Sequence, residues 1–139
     1  MFIAKVYRVM VGSLSGAMEE VYIAKETIRK WNQQNAESTG KVFMPIEWNT
    51  TSEAIQIVDV VIGIVDNWIN NTKFIEDCID AGKQVMLFFN SLQDLMNTIP
   101  GELDDVLAFR SRVHTQSFCV YYNGLIELDA LLNKRLLSF

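Results

Sequence analysis

Cysteine, proline and histidine are scarce in this chain, at two, two and one among 139 residues. Cys78 and Cys119 lie far apart in apolar stretches, and no C-x-x-C or Cys/His grouping occurs. That spacing argues against a disulfide framework and a zinc site, and favours reduced, buried thiols in a cytoplasmic protein. No Pro/Gly-rich linker, internal repeat or low-complexity tract divides the sequence, so residues 1–139 read as one domain. A hydrophobic fraction of 50% with 21% charged residues excludes a disordered or collagen-like chain. Lys/Arg runs are missing too, and twelve basic against seventeen acidic side chains leave a net charge of −5. A surface built for polymer phosphates leans basic, so no nucleic-acid polymer is expected as partner. No apolar run approaches the roughly 20 residues of a membrane span. The opening MFIAKVYRVMVG lacks a basic leader ahead of a cleavable apolar block, so no membrane or secretory destination is expected.

What is present is an alternation of short apolar runs and helical patterns. The run Phe2 to Val11 reads as a strand that stops at Gly12-Ser13-Leu14-Ser15-Gly16. Ser15 is the candidate cap of a helix with Glu19 and Glu20 near its first turn. Ala17, Val21, Ala24, Ile28 and Trp31 give that helix one apolar stripe, and it should fade among Gln33 to Thr39 before Gly40. Val42 to Trp48 reads as a second strand, with Pro45 at odds with a central position in a sheet. Thr51 or Ser52 caps a short helix over Glu53 to Ile57. Val58 to Val65 is almost wholly apolar and suits a parallel strand covered on both faces. A helix from Phe74 to Ala81 stopping at Gly82, a strand from Gln84 to Phe89 and helical segments near Leu92 to Met96 and Leu103 to Val113 follow. A last strand at Phe118 to Tyr122 and a helix at Leu125 to Leu137 close the chain. The alternation predicts a three-layer α/β sandwich with a mostly parallel, about five-stranded flavodoxin-like sheet.

In such sheets ligands sit beyond the carboxyl ends of the strands, where strand order reverses. With flavodoxin-like order, strands one and three flank that crevice. Gly12, Ser13, Ser15 and Gly16 leave one strand, and Asp66, Asn67 and Trp68 leave the other. The first group opens a helix with exposed N–H groups and two hydroxyls, suited to a phosphate, carboxylate or ribose. It is neither a G-x-G-x-x-G fingerprint nor a Walker loop, and ordinary strand-to-helix turn chemistry uses the same residues. The second group offers a carboxylate and an amide for a sugar hydroxyl and an indole for a base, or alternatively a polar strand exit with Trp68 as a lid. His114, the single histidine, has no nucleophile or orienting partner in a recognisable setting and reads as structural. Glu102, Asp104 and Asp105 after Pro100-Gly101 read as first-turn acids, and no metal or other cofactor is expected.

The loop and helix, together with VDVVIGIV and AGKQVMLFFN, resemble a bacterial and viral domain family with a TIR-like, nucleoside 2-deoxyribosyltransferase-like fold. The shared marks are Gly12 to Gly16, the pair Glu19-Glu20, Trp31-Asn32, Pro45, Trp48, the Asp59-to-Gly63 strand and Ala81-Gly82-Lys83, across about two-thirds of the chain. The resemblance implies a glycosidase-like site with a glutamate ahead of Ala-Gly-Lys. Those glutamate positions fall here on Lys73 and Phe74, and neither can stabilise an oxocarbenium-like centre. Glu76 lies nearby, about 200° round a helix from position 74.

The expectation is therefore a shortened, catalytically degenerate relative that binds a nucleotide, NAD-like or cyclic-nucleotide molecule; small size also fits a phage or mobile-element protein. One alternative is an active N-glycosidase or deoxyribosyltransferase-like enzyme using Glu76 or Asp66. Another is an interaction module without small ligand, assembling, as a homo-oligomer for instance, through Trp48, Phe74, Tyr121 or Tyr122.

Overall fold

A computed structural model describes residues 2–66, 68–91 and 100–139. Asn67 and the segment Leu92–Met96, expected to be helical, lie outside the described residues. Five strands alternate with helices: β1 (Lys5–Ser13), α1 (Met18–Thr39), β2 (Lys41–Ile46), α2 (Ser52–Ile57), β3 (Val60–Val65), α3 (Thr72–Asp80), β4 (Gln84–Asn90), α4 (Pro100–Val113), β5 (Phe118–Tyr122) and α5 (Gly124–Leu137). All the pairings are parallel, in the order β2-β1-β3-β4-β5, the flavodoxin-like arrangement.

Side-chain alternation along the strands sends two apolar sets to opposite faces. Val9, Val11, Ile62, Ile64 and Phe88 meet Ile28 and Trp31 of α1 and Leu128, Leu132 and Leu136 of α5. Met10, Leu14, Val61, Val65, Leu87 and Phe89 meet Ala54, Phe74, Ile75, Cys78, Val106 and Phe109 on α2, α3 and α4. β3 lies in the middle and all six of its residues are buried, which is why its sequence is a continuous apolar run.

β2 is an edge strand, and Pro45 fits there because an edge strand has one side without a ladder partner. Asn32 of α1 closes that side. Its Nδ2 donates to the Phe43 carbonyl at 2.8 Å, and its Oδ1 accepts from the Phe43 N–H at 3.0 Å. A side-chain amide thus takes the place of a sixth strand. Between α1 and α5 the buried Thr27 hydroxyl lies within hydrogen-bond distance of the Ile23 carbonyl and Asp129 Oδ1.

Several boundaries differ from expectation. β1 starts at Lys5 and runs on to Ser13, while β2 stops at Ile46 and leaves Trp48 outside the strand. α1 runs to Thr39, the far end of the range in which it was expected to fade, because Ala36 is buried and the turn is closed by Gly40. Gly40 is left-handed at φ 68°, and its N–H reaches the Ala36 carbonyl at 2.8 Å. Thr51 does cap α2, accepting from the Ala54 N–H at 3.3 Å. Ser15 does not cap α1; the cap position is Ala17.

Replacing Asn32 by Leu leaves the Phe43 amide and carbonyl without their partner. Unfolding free energy should fall by about 1–3 kcal/mol in a urea titration with little change in slope. A fall under about 0.5 kcal/mol would mean that water serves this edge equally well.

Candidate functional site

β1 and β3 are hydrogen-bonded neighbours with Gly12 opposite Gly63 and Ser13 opposite Ile64. Beyond this register the two chains leave the sheet, β1 towards α1 on one face and β3 towards α3 on the other. The divergence brings the Gly12–Gly16 turn, Asp66 and Trp68 to one end of the sheet.

The two exits are tied together rather than splayed. Ser15 Oγ accepts from the Asp66 N–H at 2.7 Å and donates to the Trp68 carbonyl. The Leu14 N–H reaches the Ile64 carbonyl and the Asn70 N–H reaches the Leu14 carbonyl, both at 2.9 Å. Ser13 Oγ accepts from the Ala17 N–H at 2.7 Å and the Ser15 N–H at 3.0 Å. One hydroxyl therefore engages two of the N–H groups that would otherwise cradle an anion at the start of α1. The Met18 N–H is likewise engaged, by the Gly16 carbonyl at 2.9 Å. The pull of Ser15 towards β3 is the reason it cannot cap α1.

Asp66 extends the polar line to β4: its Oδ1 accepts from Asn90 Nδ2 at 2.7 Å, and Asn90 Oδ1 accepts from the Ser91 N–H at 2.9 Å. Asp66 Oδ2 has no hydrogen-bond partner among the described residues. Trp68 is 37% exposed at the rim. Gly16 adopts φ 74°, and a Cβ built there would meet the Trp68 ring edge at 3.7 Å. A side chain at this position would be strained by its backbone, while its Cβ would only touch the indole at ordinary contact distance.

Gly12 has a different use. A Cβ on it would lie 2.3 Å from the Trp48 ring, so the missing side chain makes room for that indole. Trp48 in turn meets Phe74 edge-on, with centroids 5.6 Å apart. Phe74 is 5% exposed and fills one of the positions where the family resemblance places a glutamate. The other, Lys73, pairs with Asp77 at 2.9 Å on the surface of α3.

Glu76 is not brought to the crevice. Its Oε1 accepts from Arg112 Nε of α4 at 2.8 Å, in a groove of about 330 Å³ lined by Lys73, Asp77, Asp80 and Gln116. Of the aromatics expected to be exposed, Phe74 and Tyr122 are buried, and Trp48 and Tyr121 are partly covered, because each packs into a face of the sheet. Asn90 is the candidate residue that sequence reasoning missed, while Trp48 was expected as an assembly residue and not as the neighbour of Gly12. Asn90 carried a signal, since it leaves β4 next to β3. Burial pushes the Cys78 thiol up to about 11 and raises Cys119 as well, which leaves neither suited to nucleophilic work at neutral pH. Among the described residues no cluster of three or more His, Cys, Asp and Glu could hold a metal, and no helix is long and apolar enough to cross a membrane.

Order and layering define a flavodoxin-like, Rossmann-like α/β domain. Neither protein-family models nor curated proteins give a match to this chain. Among solved structures it is similar to a de novo designed Rossmann 2x3 fold protein, with a TM-score of 0.51 and 10% identity over 95% of this chain and 90% of that one. It is also similar to a short-chain flavodoxin associated with a non-canonical PDU bacterial microcompartment, with a TM-score of 0.47 and 12% identity over 99% of each chain. At such identities the likeness concerns the fold alone.

Gly12→Ala should cost about 1–3 kcal/mol of stability by forcing the Trp48 ring aside. In a Trp48→Ala background the same change should cost little, a coupling that a double-mutant cycle of denaturation midpoints measures. Equal costs in both backgrounds would contradict the contact. Cys78 should resist alkylation at neutral pH until the chain is unfolded, as mass spectrometry after timed iodoacetamide exposure will record.

Proposed function

We propose that this chain is a binding domain for a nucleoside-class ligand, the base or nicotinamide of a nucleotide, NAD-like or cyclic-nucleotide molecule, without efficient catalysis. The observation that carries the reading is the Ser15 tie, which sets a partly exposed indole, a side-chain-free Gly16 and the Asp66 carboxylate on one rim. A planar ring stacks on Trp68, and Asp66 Oδ2 accepts from a sugar hydroxyl while Asn90 holds the other oxygen. Ser13 and Ser15 shape this site through the backbone instead of touching a phosphate.

The resemblance to TIR-like and deoxyribosyltransferase-like domains supports the ligand class, and the aromatic at position 74 supports the lack of a catalytic acid. Glu76, engaged by Arg112, has no part in this rim, and the reading assigns Asp66, the other candidate carboxylate, to holding a sugar hydroxyl rather than to bond breaking.

The test is a thermal-shift and fluorescence titration with adenosine, NAD and a cyclic dinucleotide. Trp68→Ala should weaken the best ligand by roughly five- to a hundredfold, the value of one lost base stack of about 1–3 kcal/mol, and leave the unfolding midpoint nearly unchanged. Adding phosphates to the nucleoside should improve affinity little at this rim, because the Leu14, Ser15, Ala17 and Met18 N–H groups are engaged. No ligand-induced shift, or unchanged affinity in the variant, overturns the reading.

A further inference from the structure

The amino edge of the sheet, opposite the crevice, carries cations without carboxylate partners. α3 ends at Asp80, and Gly82, at φ 77°, turns the chain so that the Lys83 N–H reaches the Cys78 carbonyl at 3.0 Å. Lys83 and Gln84 then stand beside the start of β5, where Phe118 begins the strand. Arg135, in the last turn of α5, lays its guanidinium over the Phe118 ring at 4.5 Å. Its Nε is buried and has no hydrogen-bond partner among the described residues. A cavity of about 490 Å³ opens here, lined by Lys83, Gln84, Gln116, Ser117, Phe118 and Arg135, with no acidic residue. It adjoins one of about 440 Å³ that shares Gly82, Lys83 and Gln84 and adds Lys5 and Tyr7.

The single carboxylate side chain of this second cavity, Asp59, is already committed: its Oδ2 accepts from the Arg8 N–H at 2.7 Å and faces the Arg8 guanidinium at 3.6 Å. Ion pairs among the described residues join Arg8, Arg29, Lys73 and Arg112 to acids, and none uses Lys5, Lys83 or Arg135. Lys83 and Arg135 therefore line one cavity, and Lys5 and Lys83 the cavity beside it, in a chain whose net charge is −5. The helix ends there carry only about half a negative charge each. Dipole complementarity would explain Arg135 and Lys83, and Lys5 lies over the Tyr7 ring at 5.0 Å, but neither accounts for the lack of an acidic side chain in the cavity that Arg135 lines. A guanidinium stacked on a ring presents its edge to an oxyanion, and the spread of charge over two joined cavities suits an extended anion better than a compact one.

We propose that this groove binds an oligophosphate anion, with Arg135 and Lys83 on one part of the chain of phosphates and Lys5 on another. The site is independent of the rim proposed for the nucleoside ligand.

The test is calorimetric titration of the whole chain at low salt with tripolyphosphate and, separately, with inorganic phosphate. Tripolyphosphate should bind about tenfold or more tighter than phosphate, and Arg135→Gln and Lys83→Gln should each weaken it by about fivefold or more. Lys83 lies on a turn, so its variant should keep the unfolding midpoint, and Trp68→Ala should leave tripolyphosphate binding unchanged. No binding at millimolar tripolyphosphate, equal affinity for phosphate, or weakening by Trp68→Ala with none by Lys83→Gln each overturns the proposal.

Discussion

A single hydroxyl, that of Ser15, holds together the place where this sheet divides. At the β1–β3 junction one connection turns to the face covered by α1 and α5, and the other to the face covered by α2, α3 and α4. Peptide groups at such a divergence lose their ladder partners and need others when buried. Ser15 supplies both, an acceptor for the Asp66 N–H and a donor for the Trp68 carbonyl, and Leu14 adds two backbone bonds across the same gap. The two exits are thereby held close together, and what they present to solvent is the Trp68 indole beside Gly16.

That same economy of space decides what chemistry the second face can carry. Gly12 and Gly63 stand in register on neighbouring strands, and the gap above Gly12 is filled by the Trp48 ring. Trp48 in turn packs on Phe74, so the start of α3 is anchored by an aromatic contact instead of a carboxylate. A glutamate buried at position 74 would lose hydration against two apolar neighbours, and its charged form would be disfavoured. The apolar packing and the missing acid are one fact. Stability on this face is obtained by apolar packing at position 74, which leaves no carboxylate there.

Much of the fold was legible because its signals were local. The unbroken apolar run of β3 announced a strand covered on both faces, Thr51 announced the start of α2, and Gly40 marked the end of α1. The candidate rim was legible as well, since alternation of strands and helices places β1 and β3 side by side before any coordinate is known. What the chain order concealed were pairings between distant residues. Ser15 looks like a helix cap because its neighbours are helical, and only the arrival of Asp66, fifty-one positions later, draws its hydroxyl away. Trp48 looked like the end of a strand, and its contact with Gly12 depends on how the chain bends after Ile46. Glu76 had the right chemistry but the wrong neighbour, an arginine on a helix that packs beside it.

The two edges of the sheet are unlike in charge, and the difference bears on what each can recognise. At the carboxyl edge the N–H groups nearest the crevice are engaged by Ser13, and the charged side chain that ties into the line from Ser15 to Ser91 is the Asp66 carboxylate. A polyanion placed there meets the Asp66 charge and finds the Ser15, Ala17 and Met18 N–H groups already engaged, while a neutral ring with hydroxyls meets neither problem. At the amino edge Lys5, Lys83 and Arg135 face two cavities whose one acidic side chain is already paired. The buried strands β3 and β4 separate the edges, and neither end relies on a side chain of the other. Changes at Trp68 and at Lys83 should accordingly be additive, as expected for distant residues that share no partner.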